Sequence, residues 1–174
     1  MRFFIDTEFI DPGNGLADVR LISLGVVADN GDEFYAIDKD YPEDLANDWV
    51  KQNVLPRVRK QRQFWKSREA IAQQLQDFVD ARSQPGQGRP EFWGYFCSSD
   101  WLLVGQLYGS IWERPPGWPQ LCHEIATYAK VIGASKSSLP PMPSTAHDAL
   151  VDARWTRDCF HSLETFRREG KNRA

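Results

Sequence analysis

The first apolar positions crowd together instead of alternating. Arg2 to Phe9 reads RFFIDTEF, with Phe3, Phe4 and Ile5 placing apolar groups on both faces, as expected of a strand buried inside a sheet. Asp11, Pro12, Gly13, Asn14 and Gly15 then stack up turn formers that end it. Val19 to Ala28 predicts a second strand, and Asn30-Gly31 predicts a hairpin turn, so that Glu33 to Asp38 returns as the third strand of an antiparallel meander. From Glu69 to Ala81 the spacing of Ile71, Leu75, Phe78 and Val79 predicts an amphipathic helix, broken by the Gly- and Pro-rich run Gln84 to Pro90. Phe92 to Phe96 reads as a short buried strand, followed by a tight loop, Cys97 to Asp100, and a helix from Trp101 to about Tyr108. Past the proline-rich connection Arg114 to Pro119, a helix is expected over His123 to Val131, then a stop at Pro140 to Pro143. A last helix runs from Asp148, or slightly earlier, to about Glu169, with a frayed tail from about residue 170. A meander followed by alternating helices and a further strand predicts an α/β layered domain. Its mixed central sheet, the three-strand meander plus parallel strands, would be flanked by helices, with residues 1–174 as one unit.

Composition narrows this only a little. With 174 residues and 41% hydrophobic content the chain can bury one core. The N-terminal apolar stretch is interrupted too soon by carboxylates for a signal peptide, and no run approaches membrane-spanning length, so a soluble protein with no membrane partner is expected. Cys97, Cys122 and Cys159 are an odd number without CxxC spacing, which suggests neither a disulfide framework nor a zinc cage and fits a cytoplasmic location. A net charge of −3 argues against a broadly basic coat for nucleic acid. Locally, however, Arg57 to Arg68 carries Arg57, Arg59, Lys60, Arg62, Lys66 and Arg68 with no acid between them. With Phe64 and Trp65 interleaved, the segment reads either as a path for a phosphate backbone, with Arg59, Lys60 and Trp65 as contacts, or as a solvated connection.

Three short patterns carry the chemistry. In Asp6-Thr7-Glu8 the carboxylates lie two apart on a strand, so both look to one face. There they would repel and resist desolvation unless a cation compensates them, or else they mark the point where the strand emerges into water. Asp100 follows the second buried strand, where loop side chains face the crevice at a strand's carboxyl end; it serves equally as an ordinary acid in a first helical turn. His147 stands five residues before Asp152. With Thr145 as cap and Asp148 as its partner, His147 would sit in the first turn, where the positive helix end keeps an imidazole neutral and able to act as a base. The plainer alternative is a surface His with Asp152 paired to Arg154 or Arg157.

In chain order, a strand-borne DxE, a post-strand Asp and a helix-borne HxxxxD resemble the signature of the DEDD exonuclease superfamily, and the histidine resembles its DEDDh branch. The opening DTEFI, the NVLP segment at Asn53 to Pro56 and HDALVDA at His147 to Ala153 are similar to small bacterial exoribonucleases of the RNase AS type. The resemblance covers nearly the whole chain and implies a ribonuclease H-like fold. It also implies 3′-5′ exonuclease activity dependent on two Mg2+ or Mn2+ ions held by Asp6, Glu8, Asp100 and Asp152. On this reading Asp6 contacts both ions, Glu8 and Asp152 the one that activates water, and Asp100 the other, while His147 takes the water's proton. Phe9 falls where the family contacts the terminal nucleotide, though it is equally placed for the core. The implied partner is single-stranded nucleic acid, with RNA and adenosine-rich 3′ ends favoured by the RNase AS likeness. A DNA exonuclease or a non-catalytic nucleic-acid-binding module would use the same scaffold, and a homodimer is the assembly that the small members suggest.

Overall fold

Strand β1, Arg2–Ile10, sorts its side chains between two cores. Phe3 and Ile5 pack on one face with residues of two helices, α3 (Arg68–Asp80) and α4 (Ser98–Leu107). Phe4 and Ile10 lie on the other face under the long helix α6, Ala149–Lys171. Alternation then obliges Asp6 and Glu8 to share the α6 face, between those two apolar anchors. The computed structural model describes residues 1–13, 15, 18–83, 88–110, 112–145 and 147–171. Asn14 of the first turn, most of the break at 84–90 and the tail after Lys171 lie outside the described residues.

The meander forms as predicted, with β2 at Arg20–Ala28 antiparallel to β1 and β3 at Glu33–Asp38 antiparallel to β2. Beyond β3 lies β4, Trp65–Lys66, and on the other side of β1 lie β5, Glu91–Gly94, and β6, His123–Glu124, each joined in parallel. Among the described residues the sheet has six strands in the order β4-β3-β2-β1-β5-β6. The mixed sheet flanked by helices is therefore the expected fold class.

Departures from the expected elements have local causes. The strand at 92–96 stops at Gly94, because the chain turns there so tightly that a Cβ on Gly94 would lie 2.3 Å from that of Cys97. The expected helix at His123 starts only at Ile125 (α5, Ile125–Val131), since His123 and Glu124 first pair with Trp93 and Gly94. Glu124 then caps α5, accepting from the Ala126 and Thr127 amides. Two helices too short to show a period, α1 (Asp48–Asn53, capped by Asn47) and α2 (Leu55–Val58), fill the connection between β3 and β4. Along α6, Ala149, Ala153, Thr156, Phe160 and Leu163 form the buried stripe against the sheet. None of the described helices is long and apolar enough to cross a membrane.

Candidate active site

Gly25 decides how closely α6 approaches the acidic strand. It pairs with Asp6 across the β1–β2 ladder, and a Cβ on it would fall 2.2 Å from the Ala149 carbonyl oxygen. Only glycine lets the helix start rest directly on the strand pair. That contact delivers Asp152, one turn into α6, to the carboxylates of β1. Just past Glu8 the β1–β2 register shifts, a β-bulge of the kind that re-aims side chains beside functional sites.

Asp100 arrives from the other side. Because β5 ends at Gly94, the edge of β1 beyond Ile5 lacks a strand partner there, and the Thr7 amide instead donates to Asp100 Oδ1 at 2.9 Å, with the Thr7 hydroxyl donating to the same oxygen. Asp100, buried in the first turn of α4, is thus tied to the residue between Asp6 and Glu8.

The electrostatics are those of carboxylates packed close together in a buried site. Burial, then the charges of Asp100, Glu8 and Asp152, hold the Asp6 carboxyl well above its usual range. Burial, then Asp152, Asp148 and Asp100, push Glu8 up to about 8, with Arg57 pulling the other way. Burial raises Asp100 to about 6 against the two Thr7 bonds, and burial raises Asp152 also. One Asp152 oxygen accepts the His147 amide at 2.8 Å, while the other, Oδ1, is buried with no hydrogen-bond partner. A buried unpaired carboxylate oxygen among three more acids fits a hard divalent cation, since oxygen-rich carboxylate sets suit magnesium or manganese better than zinc. Ligand atoms of Glu8, His147 and Asp152 lie within 4.8 Å of one another.

His147 differs from expectation in one respect. Asp148, not Thr145, caps α6: its Oδ1 accepts from the Leu150 and Val151 amides at 3.1 and 3.3 Å, and its Oδ2 from Gln61 at 3.2 Å. The Thr145 carbonyl instead accepts from Arg57 at 3.0 Å. His147 therefore precedes the helix, and the helix-end argument attached to the first-turn placement falls with it. It adopts φ 72°, a left-handed conformation uncommon outside glycine, fixed by its amide bond to Asp152. Its exposed ring meets Trp49 edge-on at 4.7 Å.

The structure brings Asp6, Glu8, Asp100, Asp152 and His147 together and disperses the expected contacts of the basic segment. Arg59 is ion-paired with Glu43. Trp65 is half-buried: its indole donates to the Val58 carbonyl, sits edge-on to Tyr41 and is covered by Arg62 at 5.3 Å. Lys60 is exposed. Phe9, half-buried, lines a cavity of about 320 Å3 with Glu8, Asn47, Trp49 and Val50. Trp49, and the place of Arg57 beside the acids, are not marked in the sequence because both residues lie in α1 and α2, where no periodic pattern marks a face; Arg57's charge acts on Glu8 while its guanidinium holds the His147 loop.

Comparison with known proteins identifies the family. The family model for the Rv2179c-like 3′-5′ exoribonuclease domain matches residues 1–163. The 3′-5′ exoribonuclease Rv2179c of Mycobacterium tuberculosis (strain ATCC 25618 / H37Rv) is 36% identical over 155 residues, 88% of each chain. Among solved structures, E. coli exonuclease I in complex with a dT13 oligonucleotide superimposes with a TM-score of 0.61 at 14% identity, over 97% of this chain and 41% of that one. The nuclease domain of 3′hExo, a DEDDh family member bound to rAMP, gives 0.57 at 11% identity, over 95% of this chain and 90% of its own. At such identities these two show the shared fold alone.

Proposed function

The chain belongs to the Rv2179c-like 3′-5′ exoribonuclease family, and from that premise we propose that it shortens single-stranded RNA from the 3′ end to nucleoside 5′-monophosphates at the Asp6, Glu8, Asp100, Asp152 and His147 cluster. The observation that carries the site assignment is the unpaired, buried Asp152 Oδ1 among acids whose carboxyls are all held above their usual range. Such a cluster is costly without cations and becomes favourable with them. Asp6, Glu8, Asp100 and Asp152 would hold two Mg2+ or Mn2+ ions, which supply charge neutralisation at the phosphate and a lowered pKa for the attacking water.

The chain's own groups divide the remaining work. Thr7 fixes Asp100, and the His147 amide fixes Asp152, so two of the four carboxylates are oriented before any ligand binds. His147, exposed beside Glu8 and Asp152, accepts the proton of the attacking water, a role typically worth roughly 10²- to 10⁴-fold in rate. Trp49 steers the His147 ring from its edge. The cavity between Phe9 and Trp49 takes the terminal nucleotide, with a base against the aromatic faces. Adenosine-rich ends as substrate rest on the family likeness, and the half-exposed Trp49 and Phe9 support a stacked purine.

The test is digestion of matched poly(A), poly(U) and DNA oligonucleotides with magnesium by the wild type and by His147→Ala. Stepwise release of nucleoside 5′-monophosphates, faster from poly(A) and slowed at least about a hundredfold in the variant, is expected. Faster digestion of DNA would shift the substrate to deoxyribonucleotides, and unchanged turnover in His147→Ala would remove the general-base role.

A further inference from the structure

Past the acid cluster the surface continues as three depressions that meet at Tyr95. The first, about 100 Å3, has Asp6, His147 and Asp152 on one side and Tyr95, Met142 and Trp155 on the other. Those last three residues also wall the second, about 220 Å3, which adds Lys136 and Leu139. Tyr95, Lys136 and Leu139 recur in the third, about 340 Å3, which runs to Lys130 and Gly133 at the end of α5. The trough begins at Asp6, whereas the Phe9–Trp49 cavity begins at Glu8. His147 stands between them, lining the trough and packed against Trp49.

We propose that this trough carries the RNA strand on the 5′ side of the scissile phosphate, with bases laid on Tyr95 and Met142 and the backbone phosphates drawn to Lys136 and then Lys130. The inference rests on the exonuclease reading for the position of the 3′ end. A terminal nucleotide seated between Phe9 and Trp49 leaves the rest of the chain to pass the acids, and the connected depressions on that side offer it a continuous bed. The chemistry matches an unpaired strand, which binds through aromatic platforms beside a track of positive charge. Lys130 and Lys136 are exposed and make no ion pair among the described residues. In the basic segment Arg59 and Arg68 are paired with Glu43 and Asp38 and Arg62 covers Trp65, which leaves Lys60 as its exposed lysine. Phe96, beside Tyr95, supports the same role: it is 69% exposed and edge-on to Tyr95 at 4.5 Å, and holds φ 54° with its amide bonded to Glu124. An exposed aromatic kept in a strained backbone points to use.

The test measures binding of 5′-fluorescein-labelled RNA, 12 and 3 nucleotides long with hydrolysis-resistant phosphorothioate linkages, across a salt series. The wild type binds the 12-mer more tightly than the 3-mer. In Lys130→Glu/Lys136→Glu that ratio collapses, with the 12-mer weakened roughly tenfold and its log–log salt slope flattened by about 1.4, two single-strand phosphate contacts at about 0.7 each. Tyr95→Leu, which keeps an apolar contact for Trp155 while removing the ring, weakens the 12-mer about fivefold or more. Equal effects on both lengths, or none on the 12-mer, overturn the path. Length-dependent binding that vanishes in the lysine variant, in a protein that releases no nucleotide, upholds the path and overturns the hydrolytic reading instead.

Discussion

Replacing Glu8 with Gln should stabilise the metal-free protein at neutral pH while removing much of its response to metal. Glu8 is 9% exposed, and burial with three neighbouring acids moves its carboxyl from 4.5 to about 8. A group whose folded value is raised gives its full share of stability below the unfolded value and loses it as the pH climbs to the folded one, so the window runs from pH 4.5 to about pH 8. At pH 7 the loss is about 1.36 × (7 − 4.5), or roughly 3 kcal/mol, an upper bound because the neighbouring carboxyls share the same repulsion. Glutamine has nearly the same shape and no charge. For a chain of this size 1 kcal/mol moves Tm by about 2–4 °C, so Glu8→Gln in EDTA at pH 7 should melt up to roughly 6–12 °C higher than the wild type. The two proteins should converge near pH 4.5, where the wild-type carboxyl is protonated in the fold. Added magnesium should then raise the wild-type Tm and move the variant far less. Differential scanning calorimetry in EDTA and in magnesium, from pH 4.5 to 8, reads all three effects. A variant no more stable than the wild type at pH 8 without metal would refute the idea that uncompensated carboxylates strain this site.

Three further outcomes follow from the geometry. Gly25→Ala should lower Tm by several degrees and cut magnesium-dependent activity sharply, because a Cβ 2.2 Å from the Ala149 carbonyl must push the start of α6, and Asp152 with it, off the strand; unchanged melting and turnover would show that the close approach is not needed. Trp49→Ala should raise KM for RNA by roughly five- to a hundredfold, the loss of one stacked base, with a smaller change in kcat; steady-state kinetics on a short oligonucleotide separate the two. Asp148→Ala should cost about 1 kcal/mol of stability through loss of the α6 cap while retaining metal-dependent stabilisation, whereas Asp152→Asn should lose that stabilisation; loss of the metal response in Asp148→Ala would place Asp148 among the metal-holding acids.

The parts of this molecule that could be read from sequence are those written in local patterns. RFFIDTEF fixes both the burial of β1 and the shared face of Asp6 and Glu8, because alternation needs no knowledge of neighbours, and Asn30-Gly31 sets the hairpin by turn chemistry alone. What stayed hidden depends on contacts between distant segments. Gly25 looks like any strand glycine until Ala149 rests on it. Arg57 and Trp49 belong to helices of four and six residues, less than two turns each, where no period develops, and their contacts with Thr145 and His147 reach about a hundred residues along the sequence. The cap of α6 was misplaced by a few residues for a related reason: Thr145 and Asp148 are both good caps, and only the pull of Arg57 on the Thr145 carbonyl and of Gln61 on Asp148 separates them. Trp65 reads as a stacking platform in a basic run, and its packing edge-on to Tyr41 is a contact that no local pattern marks.

The central claim is that the gathered carboxylates make this chain a metal-dependent enzyme acting at RNA 3′ ends. The most direct measurement follows a 5′-labelled single-stranded RNA in magnesium on a sequencing gel, for the wild type and for Asp152→Asn. The account predicts a ladder that shortens one nucleotide at a time from the 3′ end, stops in EDTA and is absent in Asp152→Asn. Internal cuts, digestion that persists in EDTA, or an undiminished ladder from Asp152→Asn would contradict it.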